Sequence, residues 1–126
     1  YGFILNKQVR GLKTLRAYAA DGRTLVRNVE FANTFFTRLK GLMFRESLPN
    51  DTGLLIYPCC QIHTYFMKFS IDVVYLNRDF KVVFIDRNVQ PGVSVRRIRE
   101  AKCVLELNAG EADRLGIAVD DVLTFA

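Results

Sequence analysis

The sequence predicts a mainly β (α+β) fold, a compact β-barrel or jelly-roll-like sandwich of about seven to nine short strands with two short helices. A turn signal, Asp21-Gly22, lies between two extended runs, residues 102–108 alternate as a strand does, and helical spacing is confined to two short stretches. The 126 residues suffice for one hydrophobic core, so we predict a single domain over residues 1–126. Residues 1–12 are expected to be either an edge strand or disordered.

The first half of the chain is predicted to form a β-hairpin followed by a helix. Residues 14–19 and 24–31 flank Asp21-Gly22, a dipeptide that readily adopts the positive φ angles of a tight type I′ turn. Apolar side chains then recur at helical spacing over residues 35–43. This stretch is the longer of the two predicted helices, and we expect it to close one open end of the sheet.

The second half is predicted to consist of short strands separated by turns, with one short helix over residues 111–115 that Gly116 ends. The strands are predicted at residues 62–66, 72–76, 81–85, 93–98, 102–108 and 122–125. Alternation in the fifth of these places Cys103, Leu105 and Leu107 on one face, and Val104, Glu106 and Asn108 on the other.

Composition limits the kinds of binding partner and the cellular location that the sequence predicts. The net charge is +5, but the basic side chains are scattered, and the one cluster, Arg96, Arg97 and Arg99, lacks the interleaved aromatics of a nucleic-acid interface. A nucleic-acid partner is therefore not expected. No apolar run reaches the roughly 20 residues of a membrane span. With three cysteines and no visible signal peptide, the expected location is the cytoplasm, or outside the cell if a leader was trimmed.

Candidate chemistry is concentrated around His63, the single histidine. Cys60 and His63, with Asp72 as a third ligand, have side-chain types that zinc accepts, but one histidine and one isolated pair are too little for a predicted metal or cofactor. Cys60 and His63 are also the types of a thiolate pair, although an odd separation directs them to opposite faces of a regular strand.

A pocket with a few polar groups is the interpretation that uses most of these residues. His63, Thr64 and Met67 would line it, in the segment that we expect to meet the helix over residues 35–43. Core packing with one hydrogen-bonded histidine is the alternative. Two acids in apolar strands, Asp72 and Glu106, would face Arg38 and Arg45, either as buried ion pairs or as two carboxyls for acid–base work. The predicted site set is thus Arg38, Arg45, Cys60, His63, Thr64, Met67, Asp72 and Glu106.

Three functions remain open from the residues. The first is a non-enzymatic module that binds a small molecule or a protein segment around His63. The second is a hydrolase-type enzyme that uses His63 with Cys60 or Asp72. The third is a structural or assembly module, whose sign would be a large exposed apolar patch. The oligomeric state is not predicted.

The order of motifs resembles the domain of unknown function 192 family, a set of uncharacterised prokaryotic proteins, over about residues 24–125. The resemblance rests on Arg38-x-x-Gly41-Leu42-Met43-Phe44-Arg45, Leu48-Pro49, Gly53-Leu54-Leu55, Ile62-His63-Thr64-x-x-Met67, Ile71-Asp72-Val73-Val74-Tyr75-Leu76, Val104-Leu105-Glu106-Leu107-x-x-Gly110 and Arg114-Leu115-Gly116. It implies a mainly β fold of the barrel or jelly-roll kind and no particular activity, substrate or cofactor.

The resemblance also carries two expectations about differences among relatives. Some relatives are exported. Others have Trp-Met-Lys-Asn-Thr where this chain has Phe-Met-Lys-Phe-Ser at residues 66–70, which removes an indole and an amide from the suspected pocket.

Overall fold

The computed structural model describes residues 14–126, which form seven strands and two short helices, and it confirms the predicted mainly β fold. The elements are β1 (Leu15–Tyr18), β2 (Thr24–Ala32), α1 (Phe35–Lys40), β3 (Thr52–Ile56), β4 (Ile71–Leu76), β5 (Val82–Val89), β6 (Cys103–Asn108), α2 (Glu111–Arg114) and β7 (Thr124–Phe125). The prediction for residues 1–12 lies outside the described residues.

All seven strands belong to one sheet in the order β5-β4-β6-β3-β2-β1-β7, curled into a half-barrel. β2 and β3 are parallel, and the other neighbouring pairs are antiparallel. The two ends of the sheet approach each other, because Lys81 forms a bridge with Val122 and the Val82 amide donates to the Asp121 carbonyl at 2.8 Å. These contacts explain why the sheet is curled rather than flat.

Each face of the sheet buries its own hydrophobic cluster. In β6 the predicted alternation is present, with Cys103, Leu105 and Leu107 in the cluster inside the curl and Val104 in the cluster outside it. The outer cluster is covered by the turns that follow α1 and by the segment between β3 and β4, which supplies Ile62 and Met67. The outer face is the one that carries the candidate site.

The β1–β2 hairpin forms at the predicted position, but its turn is not the predicted type I′, because Gly22 has a positive φ and Asp21 does not. Gly22 has φ +89°, its amide donates to the Ala19 carbonyl at 2.9 Å, and the Ala19 amide donates back across the turn to the Arg23 carbonyl at 2.9 Å. The Asp21 carboxylate accepts the Arg23 amide at 3.0 Å, which satisfies the turn locally.

The longer helix differs from its prediction in length and in packing. α1 begins after Thr34, whose hydroxyl caps the Thr37 amide at 3.1 Å, and ends at Lys40 because Gly41 adopts φ +46° and ψ −125°. None of its residues is buried. Of the predicted apolar positions over residues 35–43, Phe35, Phe36 and Leu39 are exposed, whereas Leu42, in the turn after α1, is buried in the outer cluster.

Residues 62–66 and 93–98 do not form the predicted strands. They pair through one bridge, His63 with Ser94, and through two backbone bonds beside it, from the Thr64 amide to the Val93 carbonyl at 2.7 Å and from the Val95 amide to the Ile62 carbonyl at 3.2 Å. The buried Thr64 explains the difference. Its hydroxyl donates to the Gln90 carbonyl at 2.6 Å and accepts the Val93 amide at 3.0 Å, so side-chain bonds take the place of further backbone pairing beyond Thr64. Phe66 then adopts φ +62°, which ends any extended run.

Candidate functional site

A groove lies between α1 and the segment that follows β3, and its volume is about 560 Å³. Its apolar walls come from Phe35, Leu39, Ile56 and Pro58. Its polar lining comes from Arg38 of α1, from the cysteine–histidine segment and from the residue before β6: Arg38, Cys59, Cys60, Gln61, His63 and Lys102. The α1 groove therefore combines an aromatic and aliphatic surface with a small number of polar groups, as ligand sites usually do.

The inner end of the α1 groove narrows into a recess of about 50 Å³. Arg38, Leu39, Ile56, Cys59, Gln61 and His63 line both spaces, whereas Gly41, Met67 and Glu106 line the recess only. The predicted site residues Arg38, His63, Met67 and Glu106 are thus brought together at the recess, and Cys60 lies at the groove beside it.

Glu106 forms the floor of the recess. It lies on β6 between Leu54 of β3 and Val73 of β4, and only 3% of its surface is exposed. Within the described part of the chain its carboxyl group has no hydrogen-bond partner. Burial raises the pKa of Glu106 to about 8, against the opposing effect of the Arg45 charge. Glu106 is therefore mostly protonated at neutral pH.

The turn after α1 provides the edge of the recess. A Cβ atom on Gly41 would lie 3.9 Å from Ile56 Cδ1 and 4.0 Å from Glu106 Oε1, within ordinary contact distance. The positive φ of Gly41 is what strains any side chain there, and glycine adopts it freely. The backbone of this turn consequently passes directly beside the Glu106 carboxyl group.

Arg38 connects α1 to the opposite wall. Its Nη1 donates to the Pro58 carbonyl at 3.2 Å, whereas its Nε is buried without a partner. No acidic side chain of residues 14–126 forms an ion pair with Arg38 or with Lys102. The α1 groove thus holds two cations whose charge no protein carboxylate neutralises.

His63 is fixed by its own neighbours. Its Nδ1 accepts the Tyr65 amide at 3.2 Å, and its ring stacks on Tyr65 with 5.1 Å between centroids. Because Nδ1 accepts a hydrogen bond, the neutral imidazole carries its proton on Nε2, and that nitrogen is a donor. A general base needs a free acceptor nitrogen, so this tautomer suits ligand binding better than proton abstraction.

The two groove cysteines differ from a reactive thiolate pair. Burial raises the pKa of Cys59 to about 11, and its Sγ donates to the Gln61 carbonyl at 3.2 Å. Cys60 is half-buried, and no hydrogen bond joins it to His63 in the described chain. Cys103, whose pKa burial raises to about 12, lies in the inner cluster on the other face of the sheet.

Arg45 lies near the recess without entering it. Its guanidinium binds the Glu30 carboxylate through two hydrogen bonds of 2.8 and 3.0 Å, and this pairing lowers the pKa of Glu30. Arg45 was predicted to face Glu106. It forms no hydrogen bond with Glu106, because its donors bind Glu30, and it acts on the Glu106 carboxyl group only through its charge.

Two predicted site residues are structural. Asp72 pairs with Leu107 in β6, so its side chain lies on the inner face, opposite to Glu106. Its carboxylate accepts the amides of Asn88, Gly110 and Ala112 at 2.9 to 3.0 Å, which ties α2 and β5 to β4. Thr64 is fully buried and bonded as described above. The expected pairings of Asp72 with His63, Cys60 or Arg38 are therefore wrong.

The sequence reasoning missed three polar residues of the α1 groove, namely Cys59, Gln61 and Lys102. Gln61 and Cys59 flank the predicted site residue Cys60, and Lys102 immediately precedes the alternating strand β6. No group of three His, Cys, Asp or Glu side chains among residues 14–126 has the arrangement of a metal site. In the same residues, no helix has the length and hydropathy to cross a membrane.

Comparison with known proteins agrees with the motif order. A family model described as uncharacterized ACR, the domain of unknown function 192, matches residues 17–125. The chain belongs to the domain of unknown function 192 family. A UPF0127 protein of Pyrococcus furiosus is 31% identical over 107 residues, which cover 81% of this chain and 90% of that protein. A UPF0127 protein of Thermococcus sibiricus is 32% identical over 108 residues, covering 79% and 67%.

Two solved structures have the same fold. A protein from Sinorhizobium meliloti, described as a "putative transcription regulator", has a TM-score of 0.74 and 32% identity, covering 88% of this chain and 91% of that one. A protein of unknown function from Novosphingobium aromaticivorans has a TM-score of 0.76 and 27% identity, covering 87% and 82%. The family and the fold of the chain follow from these matches, and the descriptions name no substrate or reaction.

Proposed function

We propose that this member of the domain of unknown function 192 family is a non-enzymatic binding domain, which takes a small molecule or a short protein segment into the α1 groove. The observation that carries the proposal is the set of unsatisfied polar groups in that groove. Arg38 Nε is the one buried side-chain nitrogen or oxygen of the described residues without a partner. The Glu106 carboxyl group, which lines the recess, has no hydrogen-bond partner among the same residues. Such groups cost free energy unless an occupant satisfies them.

A second hollow of the described chain illustrates the contrast. The space of about 670 Å³ beside β2 and α2 is also lined by charged residues. There, however, Arg27 pairs with Asp51 at 3.5 Å, and Arg114 pairs with Glu111 at 2.6 Å. Its charges satisfy one another, whereas those of the α1 groove do not.

Fragment screening by NMR tests the proposal. The ¹⁵N-labelled chain is titrated with a set of small carboxylates, amines, amides and aromatic alcohols, and we expect amide shifts at residues 35–41, 56–63 and 101–102. Arg38→Ala is expected to weaken binding at least tenfold, because it removes one of the two cations of the groove that have no ion-pair partner within residues 14–126. Arg78→Ala, an exposed arginine in the β4–β5 turn, is the matched control. Shifts clustered elsewhere, or none with any fragment, would remove the basis of the proposal.

An assembly module is the second candidate, and one observation favours it. Phe44 and Phe66 stack at 5.4 Å while 61% and 66% of their surfaces are exposed, and Phe35 and Phe36 are exposed on α1. Light scattering on the purified chain tests this candidate. A dimer that becomes monomeric in the Phe36→Ser, Phe66→Ser double variant would support assembly, and a concentration-independent monomer would refute it.

A further inference from the structure

The accessible polar groups of the α1 groove are predominantly hydrogen-bond donors. Arg38 and Lys102 are cations, and the Nε2 of neutral His63 carries a proton. No acidic side chain of residues 14–126 lines the outer groove. An occupant that satisfies these groups must offer acceptors, and its negative charge would be favoured by the two cations.

The polar groups of the recess are also predominantly hydrogen-bond donors, although one residue of its lining, Glu106, is an acid. Several titratable or charged groups surround Glu106: Arg38 and Lys40 of α1, Arg45 in the turn after it, Cys59 and His63 of the segment after β3, and Tyr75 of β4. None of these is a second carboxylate, but Glu30 and Asp86 lie in the same row of the sheet, two strands away from Glu106 on either side. The Glu30 carboxylate is bound to Arg45. Because burial keeps Glu106 protonated at neutral pH, its hydroxyl is a donor without an acceptor in the described chain.

The shared lining fixes where a polar head would lie. Arg38 and His63 line both the groove and the recess, Glu106 lines only the recess, and Phe35 and Pro58 line only the groove. A head group at the junction reaches both Arg38 and Glu106, and an attached apolar body covers Phe35 and Pro58. The recess, at about 50 Å³, admits one small group rather than a ring.

We propose that the α1 groove binds a carboxylate carried on a small apolar body, and that protonated Glu106 donates a hydrogen bond to one of the carboxylate oxygens. This inference rests on the proposed binding function and specifies its ligand class. Binding is non-covalent, and Glu106 retains its proton in the complex. The ligand anion and the ionised form of Glu106 exclude one another, since two carboxylates in contact repel.

Binding of phenylacetate followed by NMR at several pH values tests the inference. Only the protonated form of Glu106 binds, so from pH 7.0 to pH 9.5 the affinity is expected to fall roughly 30-fold. Calorimetry of the same titration above pH 8 in two buffers of different ionisation enthalpy should show proton uptake. Acetate should bind more weakly than phenylacetate, because it lacks the apolar body. Inorganic phosphate, added separately, tells a carboxylate site from a general anion site.

Two variants isolate the carboxyl group. Glu106→Gln keeps a neutral donor at the recess and should bind phenylacetate with little change between pH 7.0 and pH 9.5. Asp79→Asn, which removes an exposed carboxyl group in the β4–β5 turn, should keep the pH dependence of the wild type. Calorimetry on the wild type needs no variant, so the inference can be judged even if Glu106→Gln does not fold.

The possible results distinguish a failure of the inferred ligand class from a failure of the proposed binding function. Phenylacetate binding that is equal at both pH values, or that releases protons, overturns the role of Glu106. Tighter binding of benzylamine or of phosphate than of phenylacetate overturns the ligand class. In both cases the binding function stands, whereas the absence of groove shifts with every fragment overturns the proposed function itself.

Discussion

Removing the Asp72 carboxylate is the perturbation whose cost follows most directly from the structure. One oxygen accepts the Asn88 amide at 2.9 Å, and the other accepts the amides of Gly110 at 3.0 Å and Ala112 at 2.9 Å. These amides belong to β5 and to the start of α2. Asp72→Ala leaves all three without an acceptor in a site where Asp72 itself is 1% exposed.

The magnitude can be worked from these three bonds. The Ala112 amide bond is buried and should cost about 2 kcal/mol, and the two partly buried amides, which water can reach, should cost about 1 kcal/mol each. The expected loss in the free energy of unfolding is thus about 4 kcal/mol, or about 15 °C in the thermal midpoint for a domain of this size. Asp72→Asn keeps one acceptor oxygen and should lose about half as much.

Urea denaturation followed by circular dichroism measures the effect, with Asp79→Ala as the control. Asp79 is exposed in the β4–β5 turn, so its replacement should change the free energy of unfolding by less than about 0.5 kcal/mol. Phenylacetate binding by Asp72→Asn should match the wild type, because the side chain lies on the inner face. A loss below about 1 kcal/mol in Asp72→Ala, or weaker binding by a folded Asp72→Asn, would refute the structural assignment.

Three further predictions concern the groove and the sheet. His63→Ala should move the thermal midpoint by less than about 3 °C in a calorimetric scan, because the ring is half-buried and bonds only locally; a drop beyond about 8 °C would mean that the histidine is architectural. Gly53→Ala should cost about 1 to 3 kcal/mol in urea denaturation, since its Cβ would lie 2.9 Å from Leu107 Cδ2; wild-type stability would contradict this close packing. The pKa of Glu106 rises on folding from 4.5 to about 8, so its contribution to stability is complete below pH 4.5 and is lost as the pH rises to 8. The stability of the wild type relative to Glu106→Gln should therefore fall by about 4 kcal/mol over that range, and a flat difference would contradict the raised pKa.

Local signals predicted the parts of the fold that depend on local physics. The β1–β2 hairpin follows from the conformations that Asp21-Gly22 permits, and the two faces of β6 follow from strand alternation alone. Neither depends on which strands are neighbours. The order β5-β4-β6-β3-β2-β1-β7, with one parallel pair, required long-range pairing that no short pattern contains.

The candidate site was harder to predict because it depends on the strand register, which long-range pairing sets. Asp72 and Glu106 both appear as acids in apolar strands, and nothing in the sequence separates them. The β4–β6 register places Glu106 opposite Val73 and Asp72 opposite Leu107, which sends the two carboxyl groups to opposite faces. Similarly, the spacing of Phe35, Phe36 and Leu39 predicted a helix that closes one open end of the sheet, yet these side chains line or flank a groove and remain exposed.

The strained backbone around the recess is consistent with a site whose geometry is held rigid. Phe44 and Phe66 adopt φ of +67° and +62°, a conformation that is costly for bulky side chains. The Phe44 amide donates to the Phe66 carbonyl at 2.9 Å, and the two rings stack. This contact joins the turn that carries Gly41 to the segment that carries His63 and Met67, which are the two walls of the recess. The sheet holds Glu106 beneath them, so walls and floor are fixed by separate parts of the fold. Phe80, in the turn after β4 and in the inner cluster, has φ +59° as well, so a strained backbone alone does not mark the recess. The recess is defined instead by the contact between its walls and by the strand pairing that fixes its floor.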